Sequence, residues 1–152
     1  MLQRIQTVYL LLISLLFIAL LFMPLAIITG DQAYRFDVTG LSTMLPEVEL
    51  LFPTWGLFAL TAIIALLAFV TIFLFKNRIL QIRISIFNAL LMVGFYALVF
   101  YYVYNIKGDM EVATISIKFG LSFPLIALIL DWLAIRNIGA DEALVRSLNR
   151  LR

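Results

Sequence analysis

The chain contains no cysteine and no histidine. Without cysteine there is no disulfide, thiolate nucleophile, lipoprotein acylation or iron–sulfur ligation. Without histidine, zinc, haem and general-base chemistry lose their commonest residue. Charge is scarce too: Asp, Glu, Lys and Arg make up 13% of the residues, against about 25% in soluble domains. Gly56, Gly94 and Gly120 build no phosphate loop, because no Gly-rich stretch precedes a Lys-Ser/Thr pair. Ser14, Ser85, Ser116 and Ser122 have no histidine to activate them. These absences point away from an enzyme, and no catalytic, cofactor or metal residues are expected.

What is present is apolar: 64% of the 152 residues are hydrophobic. A soluble domain of this length cannot hide so much apolar surface, whereas lipid solvates it. Four long runs carry it, at about 7–28, 55–75, 86–104 and 119–136. The first has ~20 residues without charge, enough for ~30 Å of hydrocarbon. Trp55, Tyr101, Tyr102, Tyr104 and Trp132 mark interfaces. Arg4 followed by leucines also has the look of a signal peptide. The run is longer than a signal core, however, and no Ala-x-Ala-like site precedes Gly30, so a retained span is expected.

Orientation follows from Lys and Arg. Arg4, Lys76, Arg78, Arg83, Arg136, Arg146, Arg150 and Arg152 lie on one side of the spans, and only Arg35, Lys107 and Lys118 on the other. The positive-inside rule then puts both termini, the 76–85 loop and the 137–152 tail in the cytoplasm, with loops 29–54 and 105–118 outside. The same clustering explains the net charge of +2 without nucleic acid. The partners expected are membrane lipid and another inner-membrane protein.

The outer loops carry strand patterns. Tyr34, Phe36 and Val38 share one side of an extended chain, as do Ile115 and Ile117. Two arrangements are open: the segments pair as a small β-cap, or they lie as amphipathic loops on the headgroups. Pro46 and Pro53 bracket 47–52 as a short re-approach to the second span. In the tail, Leu144, Leu148 and Leu151 recur at helical spacing between Arg146, Arg150 and Arg152. That pattern suits a short amphipathic helix on an anionic leaflet, with Gly139 favouring a bend before it. A plain extension of the fourth helix is the alternative.

Asp131 is the one acid inside a span. Such a group is a candidate functional site by default. It lies five residues before Arg136, roughly 7–8 Å along a helix, so Arg4, Arg78, Arg83 and Arg136 are its candidate basic partners. Asn88 shares a face with Ser85, Ala89, Met92 and Tyr96, and Thr61, Ala65 and Ala68 form a similar stripe on the second span. Gln3, Gln6 and Thr7 open the first. A polar layer of Gln6, Asn88 and Asp131 near the cytoplasmic face is therefore expected. The outer half offers no acids for an ion path, which disfavours transport. Pro24 and Pro124 are expected to kink the first and fourth spans.

The two ends, Met1-Leu-Gln-Arg-Ile-Gln-Thr-Val-Tyr-Leu-Leu-Leu12 and Asp141-Glu-Ala-Leu-Val-Arg-Ser-Leu-Asn-Arg-Leu-Arg152, with Tyr34-Arg-Phe36 and Gly40 between them, resemble a family of small four-span inner-membrane proteins. That family occurs in Bacteroidota and is known as a domain of unknown function. The resemblance implies a compartment and a topology, but no activity or site residues. The expected architecture is an all-α membrane protein: an antiparallel four-helix transmembrane bundle with a small extracytoplasmic β element and a short amphipathic C-terminal helix. Three roles compete. The first is a non-enzymatic interaction or scaffold subunit. The second is a handler of lipid, quinone or another small apolar ligand, in a groove between the kinked first and fourth spans. The least favoured is an enzyme acting on lipid-linked substrates through Asp131 and nearby arginines.

Overall fold

The computed structural model describes the chain except for residues 1, 45–49, 110 and 112–113 and the side chains of residues 2–3. Helix α1 (Leu2–Leu20) buries Gln6, Leu10, Ile13, Phe17 and Leu20, a stripe at three- and four-residue steps. It ends in a tight turn, with Leu21 N–H donating to Ile18 O at 3.2 Å and Phe22 N–H to Ala19 O at 3.1 Å. Pro24 follows, and its missing N–H and ring forbid another turn. The expected span over 7–28 is therefore corrected. Its last residues, Ala26–Thr29, are strand β1, where two isoleucines fit a pleated, half-buried surface. Pro24 ends the helix rather than kinking it.

Four more strands complete an antiparallel sheet: β2 (Ala33–Phe36), β3 (Gly40–Thr43), β4 (Leu50–Pro53) and β5 (Thr114–Ile117). Their order is β4-β3-β2-β1-β5. The two outer segments thus belong to one sheet, as the cap arrangement has it, but they do not pair with each other. β1 lies between them, pairing Ile28 with Tyr34 on one side and with Ile115 on the other. Ala26, Ile28, Phe36, Val38 and Leu41 are buried. The β2–β3 turn closes with Asp37 N–H to Gly40 O at 3.0 Å. Gly40 has φ +155°, and a Cβ there would lie 2.7 Å from Phe52 O, so no larger residue fits. Of the expected 47–52 re-approach, residues 50–52 belong to β4, and the remainder lies outside the described residues.

The other helices are α2 (Trp55–Phe73), α3 (Arg78–Asp109) and α4 (Phe123–Arg150), the last preceded by a 3-10 turn, Phe119–Ser122. Among the described residues, α2, α3 and the 3-10 turn with α4 are long and apolar enough to cross a membrane, and Arg4–Leu20 is a shorter apolar helix. α3 starts eight residues before the expected span, so the 76–85 loop shrinks to a turn around Lys76 and Asn77. Pro124 sits in the first turn of α4, where a missing N–H costs nothing, so it starts that helix instead of kinking it. α4 also runs unbroken through Gly139 to Arg150. The separate tail helix is corrected to an extension of α4.

The helices alternate up and down, α1 and α3 each packing against α2 and α4. Alanines at the contacts (Ala65, Ala68, Ala127, Ala134) are buried and let backbones approach. Phe17 of α1 meets Phe95 of α3 edge-to-face at 6.2 Å through the centre. The core is apolar at mid-length and beneath the sheet, and polar toward the other end.

Candidate functional site: a buried polar layer

Helical spacing assembles the polar end. On α3, Gln81, Ser85, Asn88 and Met92 recur along one face and all are buried. Contacts along α3 and α4 run in antiparallel register: Arg78 with Asp141, Ser85 with Asp131, and Tyr96 with Leu121. Asp131 therefore stands level with Ser85 and one turn from Asn88. α1 and α3 run the same way. Stepping back eleven residues from the Phe17–Phe95 contact brings Gln6 level with Ile84. The structure thus turns Gln6, Asn88 and Asp131 toward one interior region, with relative exposures of 5%, 1% and 0%.

Their hydrogen bonding is incomplete. Gln6 Nε2, Ser85 Oγ, Asn88 Oδ1 and both Asp131 carboxyl oxygens are buried without a hydrogen-bond partner. The Ser85 hydroxyl lies beside the Asp131 carboxyl group but falls short of ordinary hydrogen-bond geometry. Neighbouring polar groups, by contrast, are satisfied. Gln81 Nε2 donates to Thr71 O at 3.1 Å, the Thr71 and Thr61 hydroxyls donate one turn back to Leu67 O and Leu57 O, and Ser14 Oγ donates to Ala65 O at 3.3 Å. The layer therefore holds two free donors and three free acceptors beside side chains that are paired. More than nine in ten buried polar groups are paired in native proteins, which sets this cluster apart.

The expected pairing of Asp131 with a basic residue is corrected. Arg78 pairs with Asp141 instead, at 3.4 Å, and also donates to the Asp141 carbonyl. Arg136 lies over the Trp132 ring, 5.7 Å from its centroid, a cation–π contact. Arg4 and Arg83 are exposed and form no ion pair among the described residues. The reason is helical phase: Arg136 follows Asp131 by five residues, more than a quarter-turn past alignment, and so faces outward. In the tail, Arg146 bonds Glu142 at 3.0 Å, and Arg150 and Arg152 are exposed. The side chain of Gln3 lies outside the described residues.

Gln81 and Thr71 were not foreseen as parts of this end. Gln81 fell within the expected 76–85 loop. The signal was nonetheless present, because Gln81, Ser85, Asn88 and Met92 continue one helical face back to Arg78.

An apolar cleft of about 760 Å³ lies elsewhere, between the sheet half of α3 and the sheet. Val93, Ala97, Phe100 and Val103 form one wall, with Phe36 and Ile115 facing them. Tyr96 borders it, its hydroxyl donating to Leu121 O at 2.8 Å. This cleft is not between the first and fourth helices, where a groove was expected; those helices pack on one another.

The model of a family described as Domain of unknown function (DUF4293) matches residues 2–151. Comparison with curated proteins finds no match.

Proposed function

Because the chain belongs to that family of unknown function, we propose the reading its geometry supports best: a multi-pass protein of the bacterial inner membrane, both termini cytoplasmic, that serves as a non-enzymatic interaction subunit. The membrane reading is supported by apolar side chains left outward on all four helices, among them Leu15, Leu66, Leu90, Phe100 and Ile129. Water penalises such a belt and lipid does not. In this orientation the sheet caps the outer face, and the polar layer lies toward the cytoplasm, as the excess of Lys and Arg at that end supports.

One observation carries the interaction role. Among the described residues β4 is an edge strand with no neighbour beyond it, and its Leu50 and Leu51 are 58% and 42% exposed. Open, apolar strand edges recruit further strands, and natural proteins usually protect them. A photo-crosslinking residue in place of Leu50, activated in cells, tests this reading. A discrete protein adduct that co-purifies stoichiometrically after mild detergent extraction is expected. Adducts to lipid alone would refute the interaction role.

The apolar cleft favours a second reading, the handling of a lipid, quinone or similar apolar molecule. Native mass spectrometry separates the two: a retained apolar molecule and no protein partner would favour this one.

A further inference from the structure

The end of the molecule opposite the sheet carries a second kind of cavity. Two adjoining hollows, of about 660 and 430 Å³, lie between the α2–α3 turn and the C-terminal part of α4, sharing Ile79, Arg83 and Glu142. Their charge is not balanced. The two acids beside these hollows are already engaged, Asp141 with Arg78 at 3.4 Å and Glu142 with Arg146 at 3.0 Å. Lys76 and Arg83 line the larger hollow, are exposed, and have no ion-pair partner among the described residues. Asn77, Arg78 and Glu142 complete its polar wall, and the apolar part faces outward: Phe75, Ile79 and Leu80 are 53%, 47% and 42% exposed.

We propose that this cleft is a binding site for the phosphate headgroup of an anionic phospholipid of the cytoplasmic leaflet. The argument rests on complementarity. Two unneutralised cations beside the fixed Arg78–Asp141 pair attract one phosphate group, and the apolar rim accepts the first methylenes of its acyl chains. A free anion would gain nothing from Phe75, Ile79 and Leu80, whereas a lipid gains from both parts. Basic pockets between helices at the cytoplasmic side are suited to such headgroups. The site is built only because α3 starts at Arg78 and α4 continues past Gly139, so that the two helix extensions form its walls.

The proposal rests on the orientation given above, and the test separates the two. The full chain in neutral detergent is titrated with phosphatidylglycerol and with phosphatidylcholine, and bound lipid is counted by native mass spectrometry. Wild type should retain phosphatidylglycerol preferentially. Each basic residue near an anionic surface contributes about fivefold, so the Lys76→Gln/Arg83→Gln double variant should lose about 25-fold of that preference. Neither side chain is buried or paired, so the variant should fold normally. Arg150→Gln/Arg152→Gln, outside the cleft, should bind as wild type does. Equal retention of the two lipids, an equal loss in the tail variant, or displacement of phosphatidylglycerol by millimolar inorganic phosphate would each overturn the site. Sidedness is measured independently. The chain has no cysteine, so Asn77→Cys should react with a membrane-impermeant maleimide only after cells are permeabilised. Labelling of intact cells would overturn the orientation while leaving the detergent result untouched.

Discussion

Replacing Asp131 by asparagine should stabilise the protein. Both carboxyl oxygens are buried, the residue is 0% exposed, and neither oxygen has a hydrogen-bond partner. A buried acceptor left unpaired costs about 1–3 kcal/mol, and an ionisable group in a segment proposed to span the membrane adds a further penalty. Asparagine keeps the shape, removes the acid and supplies an NH₂ donor where Ser85 Oγ and Asn88 Oδ1 lack partners. Taking the low end of both contributions, one acceptor removed and one new hydrogen bond, Asp131→Asn should raise stability by about 1–2 kcal/mol. At about 2–4 °C per kcal/mol for a chain of this size, that is a rise of several degrees in thermal midpoint. The assay is helix ellipticity during thermal unfolding in mild detergent, with an SDS titration in bicelles as the equilibrium check. A loss of more than about 1 kcal/mol would refute the reasoning, because it would mean that the carboxylate gains stability from a partner. A gain would identify Asp131 as a residue held at a cost to stability, the usual mark of a functional position.

Three further outcomes follow from the same geometry. Gly139→Ala meets no atom within 4 Å and lies mid-helix, so it should stabilise by about 0.5–1 kcal/mol in the same melts; a loss would argue for a bend there. Gly120→Ala should do the reverse. Its Cβ would lie 2.7 Å from Pro24 O, where α1 ends against the start of α4, and the overpacking should cost about 1–3 kcal/mol by denaturant titration. Finally, the amides of Ala26–Thr29, in a strand paired on both sides, should exchange slowly with deuterium. Fast exchange there, with slow exchange in α1, would contradict the strand.

The helical segments were legible because two strong signals agree: long apolar runs, and stripes at three- and four-residue steps. The buried face of α3 is legible in the spacing of Ser85, Asn88 and Met92. β1 could not. Its residues, Ala-Ile-Ile-Thr, are as apolar as the helix before them, so hydropathy alone merges the two. Pro24 was the clue, but a proline can either kink a helix or end it. Only pairing with β2 and β5 on both sides makes the strand the better outcome, and those partners are distant in sequence. The tail shows the opposite case: Gly139 suggested a break, yet packing by Ile138 and the Arg78–Asp141 pair carry α4 straight through.

Composition and pattern by themselves determined an apolar, helix-rich chain without cysteine or histidine chemistry, with a basic end and a polar stripe inside. These are local properties, written in residue type and spacing. The tertiary structure alone decided how they combine. Asp131 faces Ser85 rather than an arginine, because helical phase turns Arg136 outward. The outer segments flank β1 rather than each other, because strand pairing is non-local. Among the described residues Lys76 and Arg83 are left without acids, because Asp141 and Glu142 pair with Arg78 and Arg146. Each depends on which groups are within a few ångströms after folding, and no single stretch of sequence contains that information.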